Sequence, residues 1–277
     1  MRELKGKVAA VTGAASGLGR AMALAFADEG MHVALGDVAD VSGTFAEVEK
    51  RGVRALATNL DVSRAEDVEA FAALIDRDLG GAHLVCNNAG VSPLGAAWET
   101  SLGDWQWILG VNLCGVIHGV KSFVPRLLAR NEGHVVNTAS VAGIITPPGS
   151  GAYNVTKHAV VALTETLYHD LRERGAAVGV SVLCPAYVPT GIAESERNRP
   201  RALEPTVKTK ETLAREAMLR KAVASGRLSA DDVARALVQA VKEDRFYVLT
   251  HPRIKGAIRA RMEDILDEHA PRNPMAL

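Results

Sequence analysis

Three cysteines in 277 residues are too few and too scattered for a disulfide framework or a structural metal site. Cys86, Cys114 and Cys184 each lie in an apolar stretch and form no CxxC pair, so buried free thiols are expected. Aromatic residues are also scarce, 4% of the chain, and a core must be built mainly from Val, Ala and Leu. Charge of one sign is missing: 32 basic and 32 acidic residues leave a formal net charge of zero. A nucleic-acid partner would call for a basic surplus, and none exists. His118, His158 and His169 have no neighbouring acids or thiols at metal-ligand spacing, so they read as structural and no metal is expected. No uninterrupted apolar run approaches the length that spans a bilayer. The charged opening Met1-Arg2-Glu3-Leu4-Lys5-Gly6-Lys7 lacks the h-region and cleavage site of a signal peptide. A soluble cytoplasmic protein with neither membrane nor nucleic-acid partners is the expectation.

What the chain does have is alternation. Short apolar runs at Val8–Thr12, His32–Leu35, Ala55–Asn59, Leu84–Cys86, Val135–Asn137, Gly179–Cys184 and Phe246–Leu249 read as strands. Between them lie helical patterns at Gly17–Glu29, Phe45–Lys50, Asp104–Arg130, Tyr153–Arg174 and Ala230–Val241, and a helix opened by a Ser63/Glu66 capping box. Strands alternating with helices give an α/β fold, a doubly wound parallel sheet of about seven strands with helices on both faces. Residues 1–277 carry no Pro/Ser-rich linker and no repeat, so a single domain is expected. Two segments fall outside the alternation: a charged insertion at 190–225, expected to be a solvated mobile lid, and an extension at 251–277 with Ile254, Ile258, Met262, Ile265 and Leu266 at helical spacing.

The first strand runs into Thr12-Gly13-Ala14-Ala15-Ser16-Gly17-Leu18-Gly19. Gly13 permits a tight turn, Gly17 lets backbone approach a diphosphate, and Gly19 lets the helix pack close to the sheet. With Ser16 and Leu18 they form a Rossmann-type dinucleotide loop, whose phosphates would face the positive end of the following helix. Asp37, at the end of the second strand, can accept hydrogen bonds from the adenosine ribose, and its charge opposes a 2′-phosphate. Neither Ser16 nor Val38 is basic. NAD is therefore expected rather than NADP.

The TGxxxGxG spacing resembles that of the short-chain dehydrogenase/reductase family, and later segments extend the likeness over about residues 5 to 250. The resemblance implies that Asp61 and Val62 contact the adenine. It likewise implies that Asn88, Ala89 and Gly90 of the Asn87-Asn88-Ala89-Gly90 motif border the ribose. Pro185, Val188 and Thr190 would hold the nicotinamide, although Ala186 stands where the family has glycine. Tyr153 and Lys157, four apart, share one helix face. Tyrosine starts near a pKa of about 10, and an ammonium beside it is expected to lower that value so that the phenolate can act as base. Both side chains also count as cofactor contacts. Ser140, thirteen residues before Tyr153, is placed to hold the substrate oxygen as charge develops. In the family the residue matching Asn112 kinks its helix and orders a water leading from lysine.

The expected activity is hydride transfer between NAD and a hydrophobic secondary alcohol or ketone. The walls would be Val91–Thr100 with Trp98, Val141–Ser150 with Ile144, Ile145, Pro147 and Pro148, and Tyr187–Lys221. Alternatives are an NADP-preferring carbonyl reductase, a non-catalytic NAD-binding redox regulator, or an epimerase or dehydratase working through a transient ketone. Val160, Val161, Leu163, Leu167 and Leu171 suggest more apolar surface than one sheet face needs. In the family the corresponding helix pairs with its symmetry mate, so a homotetramer or homodimer is expected.

Overall fold

Strands that are apolar without interruption need protein on both faces. In the computed structural model, which describes residues 1–276, one sheet meets that need. Its strands are β1 (Val8–Thr12), β2 (His32–Asp37), β3 (Ala55–Asn59), β4 (Leu84–Asn87), β5 (Gly133–Thr138), β6 (Val178–Leu183) and β7 (Tyr247–Val248). All pair in parallel, in the order β3-β2-β1-β4-β5-β6-β7. The helices are α1 (Gly17–Asp28), α2 (Ser42–Glu49), α3 (Ala65–Leu79), α4 (Leu102–Ile108), α5 (Gly115–Arg130), α6 (Gly151–Glu173), α7 (Lys210–Ala224), α8 (Ala230–Lys242) and α9 (Ile254–Leu266). The period of two along β1 sends Ala9 and Val11 towards α1 and α8, and Val8 and Ala10 towards α3, α5 and α6. The α/β sheet expected from the alternation is thus the one observed.

Strand order reverses between β1 and β4, which leaves a crevice outside the carboxyl ends of those strands. A buried polar chain braces the sheet beside it: Asn87 Nδ2 donates to Asn137 Oδ1 at 2.9 Å, and Asn137 Nδ2 donates to Thr164 Oγ1 of α6 at 3.0 Å. This chain ties the helix bearing Tyr153 and Lys157 to the strands that end at the crevice.

Several expectations need correction. Ser63 caps nothing: its hydroxyl and its N–H both go to Asp61, and α3 starts after Arg64 without a side-chain cap. The closer carboxylate won. Leu102–Arg130 is, by length and composition, apolar enough to cross a membrane, which the sequence was expected not to contain. It is a core stretch: Ile108, Val116, Phe123 and Leu127 are buried in this chain, and a π-helical turn at Leu109–Cys114 divides it. Cys86 and Cys184 are buried free thiols, but Cys114 is only partly covered. Residues 190–225 contain a 3₁₀ stretch, Gly191–Asn198, and α7. Of the apolar residues of α6, Val160, Val161, Leu167 and Leu171 are buried within the single chain by the sheet and α5, while Leu163 is only partly covered.

Candidate active site

Every parallel strand delivers its last residues to the same end of the sheet, so the loops after β1, β2, β4, β5 and β6 converge. At β1, Gly13 has φ +69°, and a Cβ there would sit 2.9 Å from Ala89 Cα. The two loops therefore touch across the crevice, and Thr12 stitches them: its Oγ1 accepts from Asn88 N at 2.9 Å and Ala89 N at 3.0 Å, while its carbonyl accepts from Asn88 Nδ2 at 3.0 Å. A Cβ on Gly19 would lie 2.0 Å from Gly13 O, so only glycine lets α1 approach this turn. Gly17, at φ +55°, faces Thr190 from the loop after β6. The start of α1 has no side-chain cap from Ser16 and no acidic residue in its first turn. Its free N–H groups, Leu18 among them, suit a diphosphate, which is the test the loop had to pass.

Asp37 lies against that loop. Its Oδ2 accepts from Ala15 N and its Oδ1 from Ala39 N, each at 2.9 Å. Asp61 is turned inward on Ser63, and Val62 is buried, its carbonyl 2.9 Å from His118 Nδ1. After β6, Pro185 O accepts from Val141 N at 2.9 Å and Ser140 Oγ at 3.4 Å, which links the Val188–Thr190 loop to the segment holding Ser140. The backbone at Ala186, where glycine was expected, is held by its N–H donating to His251 Nδ1 at 3.2 Å.

The four polar side chains gather at the same place. Lys157, 3% exposed, donates through Nζ to Thr138 O at 2.8 Å and lies 5.7 Å from the centre of the Tyr153 ring. Asn112, fully buried in the π-helical turn, clasps the backbone of Val91: Oδ1 accepts its N–H at 2.8 Å and Nδ2 donates to its carbonyl at 2.9 Å. Gly90 lies between them, its Cβ position 3.5 Å from Asn112 Oδ1 and 3.7 Å from Lys157 Nζ. The expected depression of the tyrosine is not what the protein by itself produces. Tyr153 keeps some surface open, yet burial of its phenol pushes the pKa up to about 12, with Ser140 pulling the other way. Burial likewise brings Lys157 down to about 8. For both groups burial is the largest influence on the charge.

The family model for short chain dehydrogenase matches residues 7–201. The chain belongs to the short-chain dehydrogenase/reductase family. Among solved structures of this family, one from Burkholderia phymatum in complex with NAD is 49% identical, superposes with a TM-score of 0.97 and covers 100% of both chains. The C alpha-dehydrogenase of Sphingobium sp. is 32% identical over 98% of this chain and 89% of its own. The 1-deoxy-11-beta-hydroxypentalenate dehydrogenase of Streptomyces exfoliatus is 34% identical over 95% of this chain and 89% of its own. As a short-chain dehydrogenase/reductase, the protein is an oxidoreductase that uses a nicotinamide cofactor.

Three well-connected polar residues were not among the candidate site residues. Thr12, which opens the TGxxxGxG motif, accepts from Asn88 and Ala89, and Thr138 accepts from Lys157. Asp104, 1% exposed, was hidden in an amphipathic pattern as an ordinary helix acid. Of the residues expected to line the substrate walls, Trp98 is 86% exposed and Ile145 is buried. Among the described residues there is no cluster of metal-ligating side chains.

Proposed function

We propose that the protein is an NAD-dependent dehydrogenase acting on a hydrophobic secondary alcohol, or on the matching ketone in reverse, with Tyr153 as the proton-transferring group. One observation carries the reading: Tyr153, Lys157, Ser140 and Asn112 meet at the carboxyl end of the sheet, directly beside the Gly13–Ala89 crevice. Gly13, Ser16, Gly17, Leu18 and Gly19 would hold the diphosphate, Asp37 the adenosine ribose with Asn88, Ala89 and Gly90 bordering it, Asp61 and Val62 the adenine, and Pro185, Val188 and Thr190 the nicotinamide. The bound cofactor supplies the hydride acceptor or donor, and in its oxidised form a positive ring that favours the phenolate.

The chain's own groups handle the proton. Tyr153 Oη takes it from the substrate hydroxyl, and Ser140 Oγ donates to the same oxygen as charge develops. Lys157, anchored on Thr138 O, holds the phenolate electrostatically. The gap that Gly90 leaves between Lys157 Nζ and Asn112 Oδ1 offers the proton a way out. Val91 and Ala152 pack in one apolar cluster with Tyr153, which suits a hydrophobic substrate. Asp37, with no basic neighbour in the loop, supports NAD over NADP. We also propose a homodimer or homotetramer, supported by the exposed apolar side chains Val155, Ile265 and Leu266.

The test is cofactor absorbance over a panel of alcohols and ketones with NAD and with NADP. Tyr153→Phe is expected to lower kcat/KM by about a thousandfold with NAD affinity retained. Turnover of small sugars or charged acids alone, a clear NADP preference, or an active Tyr153→Phe would sink the proposal.

A further inference from the structure

The charged segment after β6 contains one arginine that is not on the surface. Arg199 is 10% exposed at its side chain and pairs with the Asp104 carboxylate of α4, itself 2% exposed. Its guanidinium carbon sits 4.4 Å over the Trp107 ring, and its Nη1 has no hydrogen-bond acceptor among the described residues. Thr206 closes the arrangement: its N–H donates to Asp104 Oδ2 at 3.0 Å, its hydroxyl bonds the same oxygen, and it accepts from Ser101 N at 2.8 Å. Gly103 lets the segment lie flat on α4, because a Cβ there would be 2.3 Å from Glu204 O.

This junction adjoins the catalytic tyrosine. Trp107 packs in one apolar cluster with Val91, Ala152, Leu203 and Tyr153. Leu203 belongs to the charged segment, Val91 is the residue clasped by Asn112, and Ser92 N donates to Ser195 Oγ of the segment at 3.0 Å. A buried ion pair is a poor way to add stability, since apolar side chains of similar volume would pack without desolvating two charges. What it does supply is register: Arg199 also pairs with Glu196 of its own segment at 2.8 Å, but the buried Asp104 carboxylate meets a guanidinium only when the segment lies on α4.

We propose that Asp104 and Arg199, closed by Thr206, form a latch that fixes the Gly191–Thr206 segment against α4 and so places one wall of the substrate site beside Tyr153. They are positioning residues for substrate and take no part in proton or hydride transfer. The proposal rests on the dehydrogenase reading of Tyr153, and the test keeps the two apart.

Asp104→Asn removes the charge, while Gly103→Ala wedges the segment away without leaving a charge unpaired and in a helix that accepts alanine. Both are compared with the wild type for tryptic cleavage at Arg197, Arg201, Lys208 and Lys210 with NADH present, for NADH affinity, and for KM and kcat on the best alcohol. Cleavage and KM are each expected to rise by about tenfold or more, with kcat within about threefold and NADH affinity within about twofold of wild type. Thr206→Val shifts cleavage and KM the same way by less. Wild-type cleavage or wild-type KM in folded variants would overturn the latch, as would NADH affinity falling in step with KM. If Asp104→Asn does not fold, Gly103→Ala decides. If the wild type turns over no alcohol, the dehydrogenase reading fails, and the cleavage comparison still decides the latch.

Discussion

Both carboxylate oxygens of Asp37 are held by backbone N–H groups of the loops on either side of it, Ala15 and Ala39. The carboxylate is thereby aimed before any cofactor arrives, and little ordering remains on binding. Asp37→Ala is expected to weaken NAD binding by about 2 kcal/mol, roughly thirtyfold, and to narrow the preference over NADP. Calorimetric titration with each cofactor checks it, and an unchanged ratio would remove Asp37 as the discriminator. A second residue ties stability to pH. His134 is fully buried in β5, its Nε2 2.8 Å from Ser181 Oγ, and burial brings its pKa down from 6.5 to about 3. Asp244, 3.7 Å away, therefore faces a neutral ring. As pH falls below 6.5 the unfolded chain takes up this proton and the folded chain does not, so stability is lost between pH 6.5 and about 3. At pH 5 the loss is about 2 kcal/mol. Urea unfolding at neutral and acid pH should show it in the wild type and a smaller difference in His134→Gln; equal differences would refute the assignment.

The helix that crosses the site is regular at both ends and irregular where it is used. The π-helical turn at Leu109–Cys114 brings Asn112 inward, and its amide satisfies both polar groups of Val91 at once. Asn112→Ala leaves that buried N–H and C=O unpaired and should cost about 2–3 kcal/mol of stability while lowering kcat. Denaturant midpoints and turnover measured on one preparation test this; an unaffected midpoint would mean the clasp contributes nothing. The single glycine in Leu109-Gly110-Val111-Asn112 is compatible with an interruption but fixes neither its form nor its consequence. The same limit applies to Ser63, where a capping spacing lost to the nearer Asp61. Local patterns state which bonds are possible; competing neighbours select among them.

At the level of the whole molecule, much of the apolar stripe of α6 goes into this chain's own core, yet some apolar side chains of α6 and α9 stay exposed. Val155 is 50% exposed near the start of α6, and Ile265 and Leu266 of α9 are 56% and 80% exposed. Equilibrium sedimentation is expected to give a dimer or tetramer. A monomer at working concentration would end that proposal and leave these residues as scattered surface apolars.

The sequence by itself determined the strand–helix alternation, the sheet class and the glycine turn, because each rests on local geometry or on spacing along the chain, whereas Asn112, Ser140, Tyr153 and Lys157 were singled out through the family resemblance. Only the tertiary structure decided what depends on neighbours distant in sequence. Burial sets the Tyr153 phenol at about 12 and the Lys157 amine at about 8, where spacing alone argued for a lowered phenol. Asp104 and Arg199, ninety-five residues apart, became a buried pair where composition indicated a solvated segment. Desolvation and pairing are properties of what surrounds a group, and that environment exists only once the chain has folded.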